Sequence, residues 1–172
     1  MDIKNMPDSD KIELAENPNT PLDILRDLAK DGYWEVRYWV ANNPSTPLDI
    51  LRELAKDEDE VVRWHVAWNP STPLDILRDL AKDEGVSVRW EVALNPSTPE
   101  DILRELAKDE DEGVRWRVVQ NPKASSKILV SIFEYEKSLK EPDSYVIKNL
   151  YENKNLPHIA KVILETLFGG ML

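Results

Sequence analysis

The sequence has 172 residues, a length that suits one compact domain or one short repeat array, and 41% of them are hydrophobic. It contains no cysteine, which excludes disulfides and cysteine-ligated zinc or iron–sulfur sites and fits a reducing cytoplasm. Its 33 acidic and 22 basic residues give a net charge of −11. This charge disfavours nucleic-acid phosphates and anionic membranes as partners and favours a basic or amphipathic protein surface.

The first segment of the chain, residues 1–16, is predicted to form a helix rather than a signal peptide. Its start, MDIKNMPDSDKIEL, lacks the basic residues and apolar run of a signal peptide. Ile12, Leu14 and Ala15 instead match the second helix of the repeats that follow. Because 18 apolar residues never run together in this chain, we expect a cytoplasmic protein with no membrane partner.

A repeat of 26 residues organises the rest of the sequence. It is marked by Asn-Pro pairs at 17–18, 43–44, 69–70, 95–96 and 121–122. Self-similarity at this period predicts a solenoid, whose units bury their apolar faces against their neighbours. Residues 1–172 are then a single repeat domain, with an N-terminal half-repeat cap (1–16), four repeats (17–120), a partial fifth repeat and C-terminal helical cap (121–168) and a tail (169–172).

Each repeat is predicted to contain two helices, as the second copy illustrates. Thr46 is suited to cap the first helix, Pro47 to fill its first position and Asp49 to complete a capping box. The same assignment transfers to Thr20, Thr72 and Thr98. A second, shorter helix is predicted from about Val61 to Ala67, because Pro70 disfavours helical geometry at the residue before it.

The C-terminal part is predicted to close the array. Ile128, Leu129 and Ile132 continue the apolar stripe of the first helices into the fifth repeat. Beyond them the sequence is not repetitive but keeps a helical period, which indicates two or three closing helices. Terminal repeats of solenoids need such an altered outer face.

The repeat NPSTPLDILRELAKDEDEVVRWHVA resembles the leucine-rich repeat variant family and, more loosely, HEAT-type repeats through its Asp and Val-Arg pairing. The resemblance covers residues 17–120 and extends weakly to about 133. It implies an all-α fold, a right-handed α-solenoid of alternating α and short, often 3₁₀, helices, with no activity of its own. The cysteine-ligated iron–sulfur cluster of some relatives does not carry over, because this chain has no cysteine.

Comparison of the four repeats separates fixed from variable positions in the second helix. Val36, Arg37 and Val40 are identical in all four copies. Three variable positions, spaced i, i+4 and i+7, fall within about 60° on the side opposite the valines. First-helix positions predicted to be exposed, such as Arg26, do not vary. This contrast favours selection for contact with a partner, and drift of an unconstrained surface is the alternative.

We call the variable positions, with the aromatic column beside them and one loop-junction residue, the candidate face. Its residues are Trp34, Glu35, Tyr38, Trp39, Asn42, Val61, Trp64, His65, Trp68, Ser87, Trp90, Glu91, Leu94, Trp116, Arg117 and Gln120. Inter-repeat packing is the alternative role for the aromatic column. The repeated Arg is expected to pair with a repeated Asp (Asp31, Asp57, Asp83 or Asp109), and the repeated Asn to cap its turn.

The sequence predicts no catalytic residue, metal site or cofactor. His65 and His158 lie far apart, and His65 is expected to be an exposed contact residue. The acidic runs 57–60 and 109–112 lack the ligand spacing and central glycine of an EF-hand, and the glycines form no phosphate-binding loop.

These patterns predict a non-enzymatic scaffold that binds a protein or peptide through the candidate face. The alternatives are a modular nucleic-acid-binding repeat protein and a homotypic assembly scaffold. A nucleic-acid reader needs a basic stripe, and Arg117 alone is cationic among the variable positions. No feature of the sequence specifies the oligomeric state.

Overall fold

A computed structural model describes residues 3–172. Within this range the chain forms one 3₁₀ helix, twelve α-helices and no β-strand, which confirms the all-α prediction. The elements are η1 (Ile3–Asn5), α1 (Asp8–Glu16), α2 (Leu22–Leu28), α3 (Trp34–Asn42), α4 (Leu48–Leu54), α5 (Glu60–Trp68), α6 (Leu74–Leu80), α7 (Val86–Leu94), α8 (Glu100–Leu106), α9 (Glu112–Gln120), α10 (Ser126–Ser138), α11 (Ser144–Glu152) and α12 (His158–Phe168).

The second helix of each repeat is longer than the first, so the prediction of a shorter second helix is wrong. First helices have seven residues and second helices nine, and both are α-helical. In the second repeat, α4 ends at Leu54 because the amides of Lys56 and Asp57 turn back in tighter bonds to Glu53 and Leu54. The Asp59 carboxylate accepts the Val61 amide at 2.8 Å and starts α5 one residue earlier than expected.

The predicted capping box is also wrong. The Thr46 hydroxyl donates to the carbonyl of Val40 at the end of α3 (2.6 Å), and Pro47 stands at the N-cap of α4 without a side-chain hydrogen bond. Thr20 and Thr72 bond the preceding second helix in the same way, and α8, which follows Thr98, likewise has no side-chain cap. The last carbonyls of a helix need donors, and the threonine hydroxyl satisfies one of them.

Two compact units make up the chain, Met1–Val92 (unit 1) and Ala93–Leu172 (unit 2). In unit 1, helix α1 packs on α3, and α3 packs on α5, with the first helices alongside. In unit 2, α9 packs on α11, α8 on α10, and α12 on α11. The core of unit 1 is built from aliphatic side chains that are at most 3% exposed: Ala15, Leu25, Leu28, Val36, Val40, Ala41, Ile50, Leu51, Leu54, Val62, Val66, Ala67, Ile76, Leu77, Leu80, Val88 and Val92.

A ladder of buried ion pairs joins successive repeats, as the repeated Arg predicted. Arg37 forms a bidentate pair with Asp57 of the next repeat, at 2.7 and 2.8 Å, and Arg63 pairs with Asp83 in the same way. Lys11, 26 positions before Arg37, contacts Asp31 at 2.9 Å. Arg37 also donates to the Asp31 carbonyl, at 2.9 Å, which the sequence did not indicate. Each repeated Arg therefore connects its second helix to the loop of its own repeat and to the loop of the next repeat.

A second ladder runs through the repeated Asn. The side-chain oxygen Oδ1 of Asn43 accepts the Ser45 amide, as expected of a turn cap. Its amide group also donates to the carbonyls of Ala15 and Asn17 in the preceding segment, at 2.7 and 3.0 Å. Asn69 in unit 1, and Asn121 and Asn153 in unit 2, likewise donate to backbone carbonyls of the preceding segment. The Asn side chain is thus both a turn cap and a link between repeats.

We expect Asn43→Ala to lower the free energy of unfolding by about 1–3 kcal/mol, because it leaves buried backbone groups without partners. The adjacent Asn42 is a matched control, since it is half-buried and its side chain makes no hydrogen bond within residues 3–172. Asn42→Ala should stay within about 0.5 kcal/mol of the parent. Urea unfolding measures both, and equal losses would contradict the role assigned to Asn43.

Candidate binding face

The structure distributes the candidate face over exposed, half-buried and buried positions. Trp34, Val61, Trp68 and Gln120 are exposed. One residue, His65, is buried. The others are half-buried, namely Glu35, Tyr38, Trp39, Asn42, Trp64, Ser87, Trp90, Glu91, Leu94, Trp116 and Arg117. Residues up to Glu91 belong to unit 1 and the remainder to unit 2.

In unit 1 the structure joins six rings into what we call the aromatic cluster. Its members are Tyr33, Trp34, Tyr38, Trp39, Trp64 and His65. Within α3 and the residue before it, ring centroids lie 6.1, 6.3 and 4.7 Å apart from Tyr33 through Trp34 and Tyr38 to Trp39. Every contact is edge-to-face, the arrangement that aromatic quadrupoles favour. The cluster continues into α5 through His65.

His65 corrects the prediction of an exposed contact residue. It is 8% exposed, and its ring lies between those of Tyr38 and Trp64, with centroids 4.0 and 4.2 Å away. Its Nδ1 lies 2.9 Å from the Val61 carbonyl, so that nitrogen carries the hydrogen and donates. Burial lowers the pKa of His65, and the bond to Val61 opposes this only in part. His65 is therefore a neutral bridge between two helices.

Carboxylates border the cluster. Glu35 accepts the Tyr33 hydroxyl at 2.6 Å, and this bond raises the pKa of Tyr33. Glu91 accepts the Trp64 indole N–H at 3.1 Å. Glu60 packs so closely on Gly85 that a Cβ there would lie 2.6 Å from its carboxylate. The rim of the face in unit 1 is thus acidic.

Sequence reasoning missed Tyr33, although a signal was present. Tyr33 is 38% exposed, as is Trp34, and it heads the aromatic cluster. Its equivalents in the other repeats are Asp59, Gly85 and Asp111, so this position varies between repeats much as the variable positions of the candidate face do. Asp59 and Asp111 cap the helices that follow them, a structural role that masked the variation.

In unit 2, a cation lies against the residue of the aromatic column, Trp116. The Arg117 guanidinium stands over the Trp116 ring, 4.8 Å from its centroid. The Trp116 indole nitrogen is buried and has no hydrogen-bond partner within the described residues. Exposed Gln120 ends the helix. The chain's own cation therefore covers the aromatic column here.

Comparison with known proteins finds one similar family model and one similar solved structure. A model described as leucine rich repeat variant matches residues 34–59, which hold both members of the Arg37–Asp57 pair. A solved structure entitled "A leucine-rich repeat variant with a novel repetitive protein structural motif" is 27% identical, with a TM-score of 0.50, over 88% of this chain and 68% of that chain. The repeat at residues 34–59 thus matches the leucine rich repeat variant model, and the chain is similar in fold to the solved leucine-rich repeat variant. A search of curated proteins finds no match.

The loop acids of the second repeat have structural roles. Asp57 accepts both Arg37 and the Asp59 amide, while Asp59 caps α5. Within residues 3–172 no three His, Cys, Asp or Glu side chains are arranged to hold a metal ion. None of the helices in this range has the length and apolarity needed to cross a membrane.

We expect the protein to lose stability as the pH falls through about 6.5, the ordinary pKa of histidine. The native state lowers the pKa of His65, so the unfolded state takes up the proton first, and the free energy of unfolding decreases on acidification. The loss is absent above this range. Urea unfolding at about pH 7.5 and 5.5 measures the effect.

The control for this prediction is the second histidine. His158 is exposed, so His158→Gln should keep the pH dependence of the parent, whereas His65→Gln should reduce it. If the parent and His65→Gln lose the same stability between the two pH values, the assignment to His65 is wrong.

Proposed function

We propose that this protein is a non-enzymatic scaffold that binds a protein or peptide, basic or amphipathic in character, through the candidate face. One observation carries the proposal. Trp68 is 48% exposed and Trp34 is 38% exposed, on helices whose fixed valines are completely buried. Large aromatic side chains gain most when a partner removes them from water, and Trp and Tyr dominate the centres of protein interfaces.

Packing within unit 1 supports a continuous surface. Helix α3 lies against α5, and Tyr38, His65 and Trp64 form a chain of ring contacts across the two helices. Trp68 and Val61 are exposed on α5, and Trp34 on α3. The side chains of one helix therefore extend the apolar area offered by its neighbour.

The order of the scaffold also lowers the conformational entropy that is lost on binding. Arg37 and Arg63 fix the second helices to their loops and to the following repeats, and Asn43 and Asn69 fix the turns. A surface that is already ordered loses little conformational entropy when a partner docks. The proposal therefore requires no rearrangement of the backbone.

First-helix leucines form the competing surface. Leu22, Leu48 and Leu74 are 55%, 53% and 54% exposed, and they occupy the same position in three repeats. They offer one residue type and no aromatic ring, whereas the candidate face varies in charge, size and shape between repeats. We favour the second helices because a specific partner needs such differences.

The test is selection of a random peptide library on the folded protein, followed by calorimetric titration of a selected peptide. We expect Trp68→Ala to weaken binding by about 2 kcal/mol, roughly 30-fold, as loss of an interface hot spot does. The melting temperature should barely change, because Trp68 is exposed.

Leu48→Ala is the matched control, since Leu48 is exposed to a similar degree on a first helix. It should leave the affinity unchanged. Binding that survives Trp68→Ala and is lost in Leu48→Ala would assign the partner to the first helices. A selection that returns no peptide above background would contradict the binding function itself.

A further inference from the structure

The two units differ in how their aromatic rings meet cations. In unit 2, Arg115 stands over Tyr135, Arg117 over Trp116 and Lys161 over Tyr151, at 5.2, 4.8 and 5.8 Å. In unit 1, no Lys or Arg among the described residues stands over any of five rings in the aromatic cluster. These rings belong to Tyr33, Trp34, Tyr38, Trp39 and Trp64. Their mutual contacts in the cluster are edge-on.

The net charge of the chain is concentrated in the same unit. Residues 1–92 contain 11 basic and 20 acidic side chains, a net charge of −9, while residues 93–172 contain 11 and 13, a net charge of −2. Glu35 and Glu60 form no ion pair within the described residues. Arg37 and Arg63, the basic residues of α3 and α5, are held in the buried ladder. The face of unit 1 is therefore acidic and aromatic, without an available cation on α3 or α5.

Helix α9 carries a cation at the position after its aromatic residue, and helices α3 and α5 do not. Trp116 occupies the same repeat position as Tyr38 and Trp64, and Arg117 the same position as Trp39 and His65. The guanidinium of Arg117 lies against the ring beside it. In α3 and α5 the equivalent residues are uncharged, so neither helix supplies a cation from this position to the rings.

We propose that the aromatic cluster of unit 1 receives an arginine side chain from a basic peptide segment of the partner, with Glu35 as its counter-charge. This inference rests on the proposed binding function and names the partner's chemistry. A guanidinium is weakly hydrated and planar, and it stacks on aromatic faces more readily than an ammonium group does. The net charge of unit 1 also speeds the approach of a basic segment.

The experiment uses the full chain and acetyl-tetraarginine amide as the probe, titrated by calorimetry at low ionic strength. Acetyl-tetracitrulline amide is the matched probe, because citrulline keeps the planar shape of arginine without its charge. We expect the citrulline peptide to bind at least about tenfold more weakly, as loss of the cation–π and ionic contacts requires.

Two variants locate the site. Trp34→Leu removes an exposed ring without changing the charge, and Glu35→Gln removes a charge without changing the rings. Each should weaken tetraarginine binding by about 2- to 5-fold, the range of an exposed cation–π or ionic contact. The controls are Tyr145→Leu, an exposed ring in unit 2, and Glu53→Gln, an exposed acid on a first helix. Both controls should keep the affinity of the parent.

Equal binding of the two probes would overturn the inference, as would equal losses in the site variants and their controls, since attraction would then come from total charge. The peptide selection separates this failure from that of the proposed function. Selected peptides without arginine or lysine that still depend on Trp68 would leave the binding function intact and overturn the arginine site. Selected peptides rich in arginine that lose affinity in Trp34→Leu would support both.

Discussion

The structure depends on a buried ion pair that recurs between successive repeats, as Arg37–Asp57 and Arg63–Asp83 show. Arg37 is 8% exposed and binds Asp57 through two hydrogen bonds while its third nitrogen serves the loop of its own repeat. A guanidinium can make these contacts at once because its donors form a rigid planar fork, which a lysine ammonium lacks. Removal of either partner would leave a charge buried without compensation, which is strongly destabilising. The ladder therefore sets the register between second helices.

This constraint explains how nine residues carry both a scaffold and a surface. In α5, Val62 and Val66 face the core, Arg63 faces the ladder, and Val61 and Trp68 are exposed. Because the first two sets are held by packing and hydrogen bonds, the third can change without moving the backbone. Variation between repeats is tolerated at positions 61 and 68 for this reason, and it gives each repeat different side chains at these two positions.

The 26-residue period and the apolar stripe were enough to predict two helices in each repeat and the core, and the repeated Arg and Asp were enough to predict the pairs Arg37–Asp57 and Arg63–Asp83. They were not enough to place Thr46 or His65. A threonine before a proline is suited both to an N-cap and to a bond with the preceding helix, and only the carbonyl left open at the end of α3 decides between them. His65 is buried because the rings beside it are large: Tyr38 in the preceding repeat and Trp64 in its own helix close over it, whereas Trp39, at the same repeat position, stays half-buried. The exposure of a side chain at a variable position thus depends on the volume of the side chains around it. Some of these belong to the neighbouring helix, so a helical wheel drawn for one helix does not show them.

The residues of the aromatic column are placed both for packing between repeats and for the proposed recognition of a partner. Tyr38 and Trp64 are half-buried, and each holds His65 on one side while its remaining surface lies in the candidate face. Both proposed roles for the column, inter-repeat packing and recognition, are therefore compatible in one side chain. A ring that is anchored by packing presents its exposed part in a single orientation, and such preorganisation favours tight contact with a partner. Trp34 and Trp68 have more surface in water than these half-buried rings, so in the proposed complex they would supply most of the area that a partner buries.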